Sequence, residues 1–260
     1  MKFRTGSTVY EEAIPDVVKF HDRRRKSGCE RIIFMNTKSK FDTKKLVGTA
    51  IFAALAIIVS YATSFIKVQF LSLDAGDVII VLASFIFGPL SGVAISLISA
   101  LVSFTYSGTG PWGALMDFVS SAAFAFVASW LYTRHRSFKW AIIGIYSSVL
   151  VTTLVMIPMN ILVTPIYTGA PLKMVMELIP PLLLPFNFVK ALFNGGVALM
   201  IYKPLVKALR SARLIPSPSD EGLNAKLSAP APWLAPTLGI VSAAVAVAVL
   251  VVLATMKLSF

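Results

Sequence analysis

Charged side chains are scarce in this chain. Asp, Glu, Lys and Arg make up 14% of its 260 residues, against roughly 25% in a soluble globular domain, so a water-covered surface is excluded. Cysteine occurs once, as Cys29, and no internal disulfide can form. Histidine occurs twice, as His21 and His135. No His-Glu-x-x-His or Gly-x-Ser-x-Gly sequence is present, which removes the common metalloprotease and serine-hydrolase arrangements. Asp74-x-x-Asp77 by itself is a thin metal signal, and no inorganic ion is required. There is no Gly-x4-Gly-Lys-Ser/Thr loop to cradle ATP phosphates. No short apolar leader opens the chain either, because residues 1–45 are polar and highly charged.

What the chain has in quantity is apolar length. It is 57% hydrophobic, with a mean hydropathy of +0.79, and windows of about 20 apolar residues fall near 46–66, 76–90, 91–106, 113–132, 141–163, 184–203 and 235–256. These features predict an all-α integral membrane protein. The second and third windows are short and joined by Phe87-Gly88-Pro89-Leu90-Ser91-Gly92, a turn signal that predicts a tight reversal at one membrane face.

Basic residues test that parsing, since Lys and Arg collect on cytoplasmic loops. Half of the 24 precede the first span. Arg134, Arg136 and Lys139 separate the fourth from the fifth, and Lys203, Lys207, Arg210, Arg213 and Lys226 follow the sixth. The opposite loops hold only Lys67, Lys173 and Lys257. The expectation is a multi-pass protein of the cell membrane with a cytoplasmic amino terminus. Its +12 net charge thus follows topology, and no nucleic-acid partner is expected. Arg23-Arg24-Arg25-Lys26 belongs beside anionic membrane lipid, where each charge gains ~1 kcal/mol.

Four regions follow: a basic arm over 1–45, a six-helix membrane core over 46–213, a Pro-rich linker over 214–236, and an additional transmembrane helix over 237–260. The last, rich in Ala and Val and free of internal charge, is expected to anchor or to pack as an accessory.

The strongest anomaly lies in the sixth span. Leu184-Pro185-Phe186-Asn187-Phe188-Val189-Lys190-Ala191-Leu192-Phe193-Asn194 puts an ammonium and two carboxamides into an apolar stretch. A Lys in hydrocarbon costs at least ~2.5 to 3.5 kcal/mol, so such groups face a cavity or a partner. The i, i+3, i+7 spacing of Asn187, Lys190 and Asn194 places them on one helix face. With the topology above, Asp74, Asp77, Asp117, Asn160, Asn187 and Lys190 gather near the external ends of their spans, whereas the inner halves carry no charge. That pattern describes an externally loaded pocket and gives a channel or proton relay no polar path. Tyr61, Phe65, Phe70, Tyr106 and Phe186 surround the same level, as an interfacial aromatic belt or as pocket walls. Trp112 follows Ser107-Gly108-Thr109-Gly110-Pro111 and is positioned to stack on a flat ring. Asp74 and Asp77 have a structural alternative as helix-start acids, and Lys190 has one as the ion-pair partner of Asp117 or Asp77.

Leu71-Ser72-Leu73-Asp74-Ala75-Gly76-Asp77-Val78, Phe87-Gly88-Pro89-Leu90-Ser91-Gly92-Val93, Met156-Ile157-Pro158-Met159-Asn160 and Leu184-Pro185-Phe186-Asn187-Phe188-Val189-Lys190 resemble, in order and spacing, the riboflavin-specific S components of energy-coupling factor (ECF) vitamin transporters. The resemblance covers about residues 44–210. It implies a six-helix protein that takes up riboflavin as its transported ligand, needs no cofactor, and works with a transmembrane T component and two cytoplasmic ATPases. It also implies that Asn160, Asn187 and Lys190 contact the flavin, with Asp117 and Asp74 near the ribityl chain. Ala50 and Ala54 on the first span resemble the Ala-x-x-x-Ala stretch by which such components dock. Two departures stand out: Ser99-Ala100 where relatives carry Lys-Asn, and Asp117 where they carry Asn. They leave room for a flavin relative or another vitamin as cargo. A membrane-embedded enzyme is the remaining alternative.

Overall fold

Within hydrocarbon each backbone N–H and C=O must be satisfied inside its own segment, so apolar runs of this kind fold as helices. The computed structural model describes residues 43–68, 71–108, 110–135, 137–211 and 234–255. The chain divides into two compact units, Met1–Thr43 and Lys44–Phe260, and the described residues fall almost wholly in the second. Arg23 to Lys26, Cys29, Phe70, Thr109 and residues 214–233 of the expected Pro-rich linker lie outside the described residues, while its last three residues, 234–236, are already helical.

Helix α1 spans Thr43–Thr63. A two-residue antiparallel pair, β1 Lys67–Val68 and β2 Leu71–Ser72, turns the chain back. Then come α2 Gly76–Phe87, α3 Pro89–Ser103, α4 Gly110–His135 and α5 Phe138–Thr168. Helix α6 Leu172–Leu178 runs through a π-helical turn, Ile179–Leu183, into α7 Leu184–Ser211. Helix α8 spans Leu234–Thr255.

Among the described residues, five helical segments are long and apolar enough to cross a membrane: Lys45–Thr63, Gly110–His135, Phe138–Ile166, Leu172–Leu209 and Pro236–Thr255. The two shorter apolar helices, α2 and α3, are the pair anticipated around the Gly-Pro signal. The reversal takes one residue. Gly88 sits at φ 100°, ψ 168°, a region open essentially to glycine, and Pro89 starts α3, where its missing N–H costs nothing.

The stretch before the sixth span differs from expectation. Leu172 to Leu183 is helical and continues into α7, where the sequence suggested a loop carrying Lys173. Pro180 and Pro181 cannot donate to an α-helical ladder, and the chain passes them with a wider π turn instead of a break.

Packing is centred on α2, α4, α5 and α7. Val81, Leu82 and Phe85 meet Phe124, Ile145, Val149 and Leu199. Helix α1 joins at one side through Phe52, Ala53 and Ala56, against Ile80, Ala83, Ile95 and Ala125. The buried hydroxyls of this interior are largely spent on backbone carbonyls of their own helices: Ser96 on Gly92, Ser129 on Ala125, Ser148 on Ile145 and Thr153 on Val149. Ser84, which also reaches the Ala125 carbonyl, and the Tyr132–Tyr202 hydroxyl pair bond across helices.

Candidate functional site

The polar residues that the sequence singles out converge at one end of the bundle. On α7, one face carries Asn187, Lys190 and Asn194, all buried. The Asn187 Nδ2 donates to the carbonyl of Leu183, the last residue of the π turn, at 2.7 Å. On α5, Asn160 donates from Nδ2 to the Met156 carbonyl at 2.6 Å, and its Oδ1 accepts from Thr164 Oγ1 at 3.2 Å. A carboxamide nitrogen has two hydrogens. Each of these backbone contacts uses one and fixes the side chain's direction.

Lys190 is 6% exposed. Its Nζ lies 3.9 Å from Asp77 Oδ2 on α2 and 4.0 Å from Asp117 Oδ1 on α4. Both separations exceed hydrogen-bond length, so the ammonium is shared electrostatically between two carboxylates and clamped by neither. Asp77 is the buried first-turn acid of α2. Ser121 Oγ donates to its Oδ1, and Asn194 Nδ2 donates to its Oδ2 at 3.2 Å. The same Asn194 nitrogen donates to the Asp74 carbonyl oxygen at 2.8 Å, tying the loop before α2 to α7. Asp74 Oδ1 accepts the Gly76 N–H at 2.7 Å, next to the start of α2. Asp77 thus occupies the first turn of α2 with its carboxylate bonded to side chains of α4 and α7 and not to free backbone N–H groups, while Asp74 takes up one such N–H.

Two adjoining cavities open beside the cluster. The first is lined by Asn160, Asn187, Lys190 and Asp117, with Met116, Met156 and Phe186 as apolar walls. The second shares Ser72, Ser107 and Asp117 with it, and adds Asp74, Tyr106, Ser60, Ser64 and Ser103. Their chemistry differs. One pairs an amide-and-ammonium edge with thioether and phenyl surface, and the other is rich in hydroxyls. Ser60 is buried at its edge with a hydroxyl that has no hydrogen-bond partner among the described residues.

Four of the six expected ligand-contacting residues, Asn160, Asn187, Lys190 and Asp117, therefore line one cavity, and Asp74 lines its neighbour. Trp112 lines neither and is 41% exposed; the next residue, Gly113, does reach the first cavity. Ala50 and Ala54 are exposed on α1. The hydroxyl lining, Ser60, Ser64, Ser72, Ser103 and Ser107, and the Met116 wall escaped sequence reasoning, because Ser and Met recur throughout these helices without a periodic or energetic signal.

The family profile "ECF transporter, substrate-specific component" matches residues 44–206. The chain is similar to the riboflavin transporter RibU of Staphylococcus aureus (strain TCH60), at 28% identity over 68% of this chain and 99% of that one. It is also similar to the riboflavin transporter FmnP of Bacillus subtilis (strain 168), at 25% identity over 56% and 84%. Among solved structures it resembles the S component of a bacterial ECF transporter, with a TM-score of 0.55 and 28% identity over 64% of this chain and 98% of that one. With a family profile that runs from the start of α1 well into α7, this multi-pass membrane protein belongs to the substrate-specific components of ECF transporters.

Proposed function

We propose that this chain captures riboflavin from the external side of the cell membrane for ATP-driven uptake, with Asn160, Asn187 and Lys190 reading the flavin ring. The observation that carries this reading is the convergence of two carboxamides and an ammonium on one cavity that also presents the apolar surfaces of Met116, Met156 and Phe186. The pyrimidine edge of an isoalloxazine presents two carbonyls, a ring N–H and ring nitrogens. Carboxamides both donate and accept, and an ammonium donates to a carbonyl. The apolar remainder of the ring suits thioether and phenyl walls. The hydroxyl-rich second cavity, with Asp74, Asp117 and the unspent Ser60 hydroxyl, suits the ribityl chain. Trp112, one residue from the cavity wall, would cover the ring from the rim.

A site built to hydrogen-bond one edge rejects ligands that leave its buried groups unpaired, which gives the vitamin specificity. Of the two departures from the family pattern, Ser99 and Ala100 line neither cavity. Asp117 lines both, so the choice between riboflavin and a flavin relative turns on it.

The chain is a transport subunit, not an enzyme. It has no ATP-binding loop of its own, and energy comes from the T component and two ATPases that complete an ECF transporter. The cytoplasmic amino terminus, supported by the basic residues before α1, puts the cleft outside. In this reading residues 46–213 are the transport core, and the arm, linker and last helix are additions to it.

Riboflavin titration of the purified protein against Lys190→Ala and Asn187→Ala tests the site. Loss of a hydrogen bond from a charged or buried group should weaken binding by roughly 1.5 to 3 kcal/mol, about ten- to more than a hundredfold in Kd. Unchanged affinity in both variants would remove these residues from the site.

A further inference from the structure

Helix α8 lies beyond the residues matched by the family profile, and it contributes no side chain to either cavity. It is nevertheless fitted to the wall that does. A Cβ placed on Gly196 of α7 would fall 2.8 Å from the Gly239 carbonyl oxygen of α8, and one placed on Gly239 would fall 2.6 Å from the Gly196 carbonyl oxygen. The two backbones touch. Close packing through small residues is how helices associate where lipid tails remove any hydrophobic drive.

From that contact α8 runs toward the cleft. Ala246, Leu250 and Leu253, spaced i, i+4, i+7 on one face, are buried against Leu73, Phe186 and Val189. The positions of those three partners are informative. Leu73 directly precedes Asp74, Phe186 precedes Asn187, and Val189 precedes Lys190. Three polar residues of the cleft each follow a side chain held by α8. Phe186 and Leu73 also line the two cavities themselves. Fluid lipid could cover the same apolar surface, but it holds no fixed rotamer.

We propose that α8 is an intramolecular brace of the binding cleft, with Gly239, Leu250 and Leu253 as positioning residues that fix the wall carrying Asp74, Asn187 and Lys190 and so prolong ligand residence. The residence claim rests on the riboflavin reading above; the bracing claim does not.

The test uses the full chain in detergent micelles, as wild type, Gly239→Leu and Leu250→Ala/Leu253→Ala. Riboflavin dissociation, followed by recovery of flavin fluorescence, should accelerate about tenfold in both variants with association nearly unchanged, since affinity changes at an existing site fall mainly on the off-rate. Amide hydrogen exchange without ligand should accelerate over 71–77 and 184–194 while 110–135 keeps its wild-type rates. A wild-type off-rate in both variants overturns the proposal, as does exchange that is unchanged or uniformly faster throughout. Should the wild type bind no riboflavin, the flavin reading fails, and the exchange pattern alone decides the brace.

Discussion

At the scale of single residues, the cleft is organised around one cation between two acids. Lys190, at 3.9 and 4.0 Å from Asp77 and Asp117, keeps both carboxylates compensated without being consumed by either. Its charge was the feature most legible in the sequence, because an ammonium in an apolar span has a cost that demands an explanation. Its division between two partners was not legible, since it depends on how α2 and α4 approach α7. Asn194 shows the same limit. Its place on the face of Lys190 follows from spacing alone, but its task, joining the Asp74 carbonyl to the Asp77 carboxylate, needs the tertiary fold. Asn194→Ala should leave a buried carboxylate short of a donor and release the loop before α2. The expected cost is ~1 to 3 kcal/mol, read as a lower unfolding midpoint in detergent together with weaker riboflavin binding.

At the scale of elements, the local chemistry of Gly and Pro decides more than hydropathy does. The α2–α3 reversal was readable because Gly-Pro can hardly be placed inside a helix, and the structure makes the turn on Gly88 alone. Any side chain there must adopt a backbone conformation costing of order 1 to 3 kcal/mol. Gly88→Ala should destabilise the fold by that order, read as a lower thermal midpoint, while leaving riboflavin affinity near wild type, because position 88 lines neither cavity. The helical run ahead of α7 was not readable. Lys173, Glu177, Pro180 and Pro181 give Leu172–Leu183 the composition of a loop, and only the π turn reconciles two prolines with continuous helix. That turn also supplies the Leu183 carbonyl on which Asn187 is set, so an irregularity of the backbone orients a residue of the site.

At the scale of the whole molecule, the apolar windows were enough for the all-α membrane class, and the quoted motifs for the family. The contact between α8 and α7 was out of reach, since two glycines on separate helices carry no mark of each other. Ala50 and Ala54 are exposed on α1, where close helix packing with a membrane partner has room to form. Ala50→Trp together with Ala54→Trp should abolish riboflavin uptake by the assembled transporter and leave binding to the isolated chain intact; normal uptake by that double variant would move docking to another face. At 12 and 15 residues, helices α2 and α3 rise only about 18 and 22 Å, short of the roughly 30 Å hydrocarbon layer. Neighbouring helices make up the difference around α2, most of whose residues are buried, so its first-turn acid, Asp77, is enclosed by protein and not by lipid or water.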